Sequence, residues 1–141
     1  MAVRTLQQTS VGYTFGPVVV PVGRETLVAY ANASGDQNPI HQDESFAKSV
    51  GLPDVIAHGM WTMGAAGAAV EEWAGDGGRV VEFGTRFTKP VVVPADGGAQ
   101  IEVSGVVKAV DEETGRATVD VTVTSAGEKV LGRCQAVVQL D

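Results

Sequence analysis

The chain has 141 residues, of which 44 % are hydrophobic and 19 % are charged; this is the composition of a globular protein of one-domain length and excludes extensive disorder. Ten basic against seventeen acidic residues give a net charge of −7, and the absence of a Lys/Arg cluster argues against binding to nucleic acid or to an anionic membrane surface. A single cysteine, Cys134, and only two histidines exclude an internal disulfide and a zinc ribbon.

The sequence predicts a single domain over residues 1–141 in the cytoplasm. No apolar run approaches the ~20 residues that a bilayer-spanning helix needs. The first residues, MAVRTLQQTSVGY, lack the apolar core and the cleavage site of a secretory signal. No repeat or low-complexity tract divides the chain.

The first half of the chain contains short elements separated by turn residues. In chain order these are an arm over residues 1–22 that ends in a strand from Val18 to Val22, a helix over 24–33 and a short helix over 44–50. Gly35 and Pro39 interrupt the chain between the two helices. Asp43 is suited to cap the short helix, and Gly51 is suited to end it.

The longest predicted helix covers MWTMGAAGAAVEEWAG, residues 60–75. Its first two turns are apolar or small on every side, which predicts a helix that is buried rather than lying on a surface. Gly64 and Gly67 would weaken an exposed helix, so we interpret them as places where another backbone or a ligand comes close.

From Arg79 onward the sequence has the alternating pattern of strands, with a corner at Lys89-Pro90 and a turn at Ala126-Gly127. Consecutive antiparallel strands after one long buried helix indicate the α+β class. We expect a sheet that wraps around the helix and turns a Thr-, Glu-, Lys- and Asp-rich face to solvent.

The segment over residues 30–60 carries the residues suited to chemistry. If the chain folds back at Asn38-Pro39, the carboxylate of Asp36 and the imidazole of His41 face one shared volume, and such a pair can move a proton near neutral pH. Gly59 follows His58 at the start of the long helix, where a backbone N–H has no partner within the helix and is suited to an oxyanion.

This segment resembles the hydratase motif of MaoC-like proteins. The matching residues are Tyr30, Ser34-Gly35-Asp36, Asn38-Pro39-Ile40-His41, Asp43 and Ile56-Ala57-His58-Gly59-Met60. The resemblance implies a hot-dog fold, an antiparallel β-sheet wrapped around a long central helix. It is strongest to the catalytic β subunit of actinobacterial (3R)-hydroxyacyl-ACP dehydratases, which serve fatty-acid and mycolic-acid synthesis.

The resemblance implies a hydro-lyase that reversibly dehydrates (3R)-3-hydroxyacyl thioesters of acyl carrier protein or coenzyme A to trans-2-enoyl thioesters. Asp36 and His41 match the catalytic pair, and Gly59 matches the oxyanion donor. Asn38, His58 and Met60 complete the expected oxyanion and substrate-binding set; we interpret Asn38 and His58 as braces of their loops, and Met60 as core or tunnel wall. No cofactor or metal is expected beyond the phosphopantetheine that carries the acyl group.

Gly67 matches the position at which some family members carry a serine hydroxyl near the catalytic water. The departure is tolerable if that hydroxyl is auxiliary. Small residues along this helix would then make room for a long acyl chain.

Other functions remain open from the sequence. They are an (R)-specific enoyl-CoA hydratase of fatty-acid degradation or polyester supply, a hot-dog thioesterase, and a non-catalytic hot-dog partner subunit. A metal site of Asp36, His41 and His58 is a further alternative, although their spacing fits no helix-based metal motif. Retention of both Asp36 and His41 argues against a non-catalytic role.

We expect a dimer, and favour a heterodimer with a related hot-dog subunit over a homodimer. A small domain rarely encloses a long acyl chain by itself. An acyl carrier protein is acidic, so docking requires local positive charge, for which Arg79, Arg86 and Lys89 are the nearest candidates. Three scattered cations are too few without help from a partner surface.

Overall fold

The computed structural model describes residues 3–141, and residues 1 and 2 of the predicted arm and domain lie outside the described residues. One antiparallel sheet forms most of the fold. Its strands are β1 (Thr14–Val22), β2 (Val80–Phe87), β3 (Ala99–Asp111), β4 (Arg116–Ser125), β5 (Glu128–Lys129) and β6 (Leu131–Gln139). Their spatial order is β1-β3-β4-β6-β2, with β5 paired to β4.

Three helices accompany the sheet, namely α1 (Arg24–Ser34), α2 (Glu44–Ser49) and α3 (Gly59–Ala74). α1 buries Leu27 and Ala31, four residues apart on one face. Asp43 caps α2 by accepting a hydrogen bond from the N–H of Phe46, and Gly51 follows with a φ of 94°. The predicted cap and stop of the short helix are therefore confirmed.

The long helix α3 packs against the inner face of the sheet and makes the centre of the core. Ala66, Ala69 and Val70 lie against the sheet, and the ring of Trp73 stacks on Phe15 of β1 at a centroid distance of 5.3 Å. With a sheet curled around this helix, the structure has the predicted α+β hot-dog architecture.

The prediction that α3 is buried holds for the side that packs in the core, but not for its whole circumference. Met60, Gly64 and Ala68 are exposed, and their spacing of four residues places them in one stripe along the helix. Residue size and polarity gave no sign of this stripe, because whether a face of small residues is covered depends on the elements that pack around it.

The alternation that predicted the later strands is confirmed over most of their length. Val103 pairs with Val123, and both side chains point into the core. The register shifts after Val107, so Ala109 is exposed instead of buried. Arg79 ends a short 3₁₀ turn (Gly77–Arg79) rather than starting a strand, and the predicted last strand is interrupted at Val130.

Between the corner at Lys89-Pro90 and the start of β3, the described chain forms no strand and makes one isolated bridge, between Val92 and Ile56. This bridge, together with hydrogen bonds from Ala57 to Val91 and from Val93 to Val55, ties the loop before α3 to the segment after β2. Among the helices within residues 3–141, none is both long enough and apolar enough to cross a membrane.

Candidate active site

A tight turn after α1 presents the carboxylate of Asp36. The helix ends at Gly35, whose φ of 83° lies in the left-handed region that glycine adopts without steric cost. The N–H of Asp36 then donates to Ser34 Oγ (3.1 Å), and the N–H of Asn38 donates to Asp36 Oδ1 (3.1 Å). The second carboxylate oxygen, Oδ2, is directed towards His41.

His41 lies in a short 3₁₀ turn (Pro39–His41) that Asn38 caps by accepting a hydrogen bond from the N–H of Ile40. The ring is buried, and its Nδ1 lies 2.6 Å from the carbonyl oxygen of Ile56. A carbonyl only accepts, so Nδ1 carries the proton and Nε2 keeps a lone pair. Burial is the main cause that lowers the pKa of His41 below 6.5, which favours this neutral form near pH 7.

The side chains of Asp36 and His41 face each other, and the gap between them is wide enough for one small molecule that donates hydrogen bonds to both. Oδ2 of Asp36 lies 3.9 Å from Nε2 of His41, which is too long for a direct hydrogen bond. Both atoms are acceptors in this tautomer. A molecule that bridges them must donate two hydrogens, and water does so.

The imidazole of His58 contacts both members of this pair. It is 2 % exposed, and its Nε2–H donates to the backbone carbonyl of Asp36 at 3.0 Å. Its ring stacks on that of His41 with a centroid distance of 3.7 Å and an interplanar angle of 22°. The ring of Tyr30 also packs against His58, with ring centroids 4.8 Å apart and an interplanar angle of 53°. His58 thus fixes both the Asp36 backbone and the plane of the His41 ring.

Gly59 begins α3, and its backbone N–H has no acceptor within residues 3–141. The first N–H groups of a helix cannot bond within it, and the helix dipole adds partial positive charge at this end. Gly59 also lines the same cavity as Asp36 and His41. The arrangement therefore offers a donor to an oxygen that gains negative charge beside the pair.

The cavity has a volume of about 570 Å³, within the range of ligand pockets. Met60, which is 58 % exposed, lines it, whereas Asn38 lies outside the lining and acts through the turn. The wall also contains Ser34 and Ile40 of the motif, and residues that the sequence did not single out: Thr62, Phe87, Thr88, Pro90, Val91, Val130 and Leu131. Most of them have no chemical group that would single them out, and they come from segments distant in the sequence.

The small residues of α3 do not extend this cavity along the helix. A Cβ on Gly67 would lie 3.2 Å from the ring of Phe83, so an aromatic side chain already occupies that space. Ala66 and Ala69 are buried in the core. The interpretation of Gly67 as room for an acyl chain is therefore wrong, and the cavity meets α3 only at its first four residues.

Asp36, His41 and His58 each have one atom that could ligate a metal ion, and these atoms lie within 4.8 Å of one another. Two of the ring nitrogens already donate to carbonyl oxygens. The lone pair of an imidazole lies in the ring plane, so two stacked rings direct their lone pairs side by side rather than to a common point. We interpret the cluster as a pair of acceptors, Asp36 and His41, held in position by His58, and not as a cation site.

Two of the three cations that the sequence suggested for carrier docking form ion pairs. Arg79 contacts the carboxylate of Asp141 at 2.9 Å, and Lys89, at the cavity wall, contacts Glu128 at 3.1 Å. Arg86 has no carboxylate within 4.0 Å among the residues described. These contacts make Arg79 and Lys89 poorer candidates for carrier docking than the sequence suggested.

Comparison with known proteins places this geometry in a family. Residues 7–126 match the profile of the MaoC like domain. The chain belongs to the MaoC-like domain family. A 72-residue stretch is 44 % identical to 3-hydroxyacyl-thioester dehydratase X of Mycobacterium tuberculosis, covering 51 % of this chain and 25 % of the relative.

Two solved structures show the same fold over nearly the whole chain. A MaoC-like dehydratase superposes with a TM-score of 0.96 and 39 % identity, covering 99 % of this chain and 43 % of the other. The (R)-hydratase of A. caviae involved in PHA biosynthesis superposes with a TM-score of 0.84 and 25 % identity, covering 96 % and 99 %. The chain thus spans a quarter of the length of the Mycobacterium relative and less than half of the first structure.

Proposed function

We propose that the chain catalyses the reversible dehydration of (3R)-3-hydroxyacyl thioesters to trans-2-enoyl thioesters. The observation that carries this proposal is the pair of acceptors, Asp36 Oδ2 and His41 Nε2, that face each other across 3.9 Å beside the unpartnered N–H of Gly59. Such a site can bind the water that adds to the double bond through the pair of acceptors, and the thioester oxygen that becomes negatively charged through the N–H of Gly59.

In the hydration direction, water donates one hydrogen to Asp36 and one to His41. As its oxygen attacks C3 of the enoyl group, one proton passes to the pair and the π electrons move towards the thioester carbonyl. Gly59 N–H stabilises the charge on that oxygen. A proton from the pair then adds to C2 as the carbonyl re-forms, which leaves one hydroxyl on C3 and no net change in the enzyme. Dehydration is the same sequence in reverse.

No cofactor enters this reaction other than the phosphopantetheine of the substrate, supplied by acyl carrier protein or coenzyme A. Names of relatives support the reaction class, since one is a 3-hydroxyacyl-thioester dehydratase and another an (R)-hydratase. Fatty-acid synthesis remains a prediction from the resemblance, and a cytoplasmic location remains a prediction from the sequence.

We further propose a dimer with a second hot-dog subunit, for which a homodimer is the alternative. The stripe of Met60, Gly64 and Ala68 on α3 is apolar or small and exposed. Strand β2 lies at one edge of the sheet, where its unpaired backbone groups can extend the sheet into a neighbour. Light scattering of the chain alone and with a co-expressed hot-dog subunit would distinguish the two assemblies.

The experiment that tests the function follows the enoyl absorbance of a crotonyl thioester with the purified chain. We expect absorbance to fall as water adds, and to be unchanged with the Asp36→Asn variant. Release of free thiol is measured in parallel, because a thioesterase would liberate thiol without consuming the double bond. Thiol release alone would refute the proposal.

A further inference from the structure

A groove on the outer face of the sheet gathers the cations that the rest of the chain leaves without a partner. Of the ten Lys and Arg side chains, four lie within 4.0 Å of a carboxylate: Arg24, Lys48, Arg79 and Lys89. Two more are held otherwise, Arg4 over aromatic rings and Arg116 by Gln139. Among the described residues, three of the remaining four line one groove, namely Lys108, Lys129 and Arg133.

The groove has a volume of about 540 Å³ and crosses strands β3 to β6. Asp120 is its only acidic lining residue among those described, and the Asp120 carboxylate accepts a hydrogen bond from Gln135 at 2.9 Å. The lining therefore carries net positive charge on a chain whose overall charge is −7. Because this polarity opposes that of the whole molecule, the groove is the surface best suited to an acidic partner.

Arg133 reaches this surface through an unusual backbone conformation. Its φ is 47°, in the left-handed region that residues other than glycine seldom adopt. The register between β2 and β6 shifts at the same level, between Gly84 and Arg86. Irregularities of this kind redirect a side chain, and they are frequent beside functional sites.

The groove adjoins the substrate cavity. Leu131 lines both of them, and Lys129 follows Glu128, the partner of Lys89 on the cavity wall. The cations are also spread widely. Lys108 follows Val107, which pairs with Val119, and Lys129 pairs with Thr124, so about 16 Å of strand β4 separates the two levels at about 3.3 Å per residue. That span suits an extended acidic surface better than a single phosphate group.

We propose that this groove docks the acidic surface of the carrier protein that presents the acyl thioester to the cavity. The inference rests on the proposed function, because it assigns a carrier to that reaction. It also replaces the sequence-based choice of Arg79 and Lys89 with cations that have no ion pair among the described residues.

The test compares the double variant Lys108→Glu/Arg133→Glu with the control Lys48→Glu/Arg116→Glu. Both variants lower the net charge by the same amount, but only the first changes the groove. Each is assayed on one enoyl group carried by acyl carrier protein, by coenzyme A and by pantetheine. Binding of the acylated carrier is measured separately by fluorescence anisotropy, at low and at high salt.

We expect the groove variant to lose at least about tenfold in kcat/KM and in affinity on the carrier protein only, with weaker salt dependence, while the control keeps both. Equal losses in the two variants would overturn the proposal, because long-range charge would then explain them. An equal loss on coenzyme A would assign the groove to nucleotide phosphates instead. A wild type that is inactive on all three thioesters would refute the proposed function, whereas the anisotropy would still test the docking.

Discussion

The backbone N–H of Gly59 can be removed with little cost to the fold, which makes its role directly measurable. Proline lacks this N–H and is favoured at the first position of a helix, where Gly59 stands. His58 before it has φ −61° and ψ 133°, a conformation that a following proline permits. Gly59→Pro should therefore keep α3 in place.

The substitution also adds a Cβ, and this effect needs its own control. A Cβ at Gly59 would lie 2.9 Å from Cε1 of Phe87, whose side chain is 55 % exposed and free to swing outward. Gly59→Ala adds the same atom and keeps the N–H. The ratio of the two variants therefore separates the loss of the N–H, whose place the proline Cδ takes, from the effect of the added Cβ.

Loss of one oxyanion donor costs about 3–4 kcal/mol of barrier, or about 10²–10³ in rate. We expect Gly59→Pro to have a kcat lower than that of Gly59→Ala by this factor, with similar KM, because the donor acts mainly on the charged intermediate. The assay is enoyl-thioester hydration, with circular dichroism and thermal unfolding to verify the fold. A kcat within about threefold of the Gly59→Ala value would show that the oxyanion is held elsewhere.

Asp36→Asn should lower turnover by at least about 10²-fold in the hydration assay. Adding His41→Ala should lower turnover little further, because both groups act on one water, and additive losses would assign them separate roles. Because burial lowers the pKa of His41, kcat/KM should fall only as pH drops below 6.5. The unfolded chain binds the proton of His41 more tightly than the folded chain, so the free energy of unfolding of the wild type minus that of His41→Gln should decrease over the same acidic range. Denaturation curves of both proteins between pH 5 and 7.5 measure this difference, and an increase on acidification would show that the sign is wrong. His58→Phe keeps the stacking but loses the hydrogen bond to Asp36, whereas His58→Gln keeps a donor and loses the ring, so both should lower kcat more than they raise KM. Trp73→Phe, at the far end of α3, is the control that should change stability alone. Unchanged kcat in both His58 variants would show that His58 does not position the pair.

The sequence predicted the turn that carries Asp36 and His41 because its constraints are local. Gly35 ends α1 in the left-handed region and Pro39 starts the 3₁₀ turn, so the two side chains can face each other whatever the rest of the fold. Asp43 likewise caps α2 through a bond to a residue three positions on. Such contacts are visible in a short window of residues.

Contacts between distant segments could not be predicted in the same way. The carbonyl of Ile56 determines the tautomer of His41, and a backbone group leaves no mark on the sequence. The stacking of His58 on His41 depends on how the loop before α3 is tied to the segment after β2. The register of β3, β4 and β6 places the cations of the outer groove on one surface, and composition does not determine that register.

The most direct test of the account is the stereochemistry of the reaction. Purified chain, alone and with a related hot-dog subunit, is incubated with the (3R) and the (3S) form of one 3-hydroxyacyl pantetheine thioester, and the appearance of enoyl absorbance is recorded. The account predicts dehydration of the (3R) form, little reaction of the (3S) form, and loss of the (3R) reaction in Asp36→Asn. Equal rates on both forms, or full activity of the variant, would contradict it.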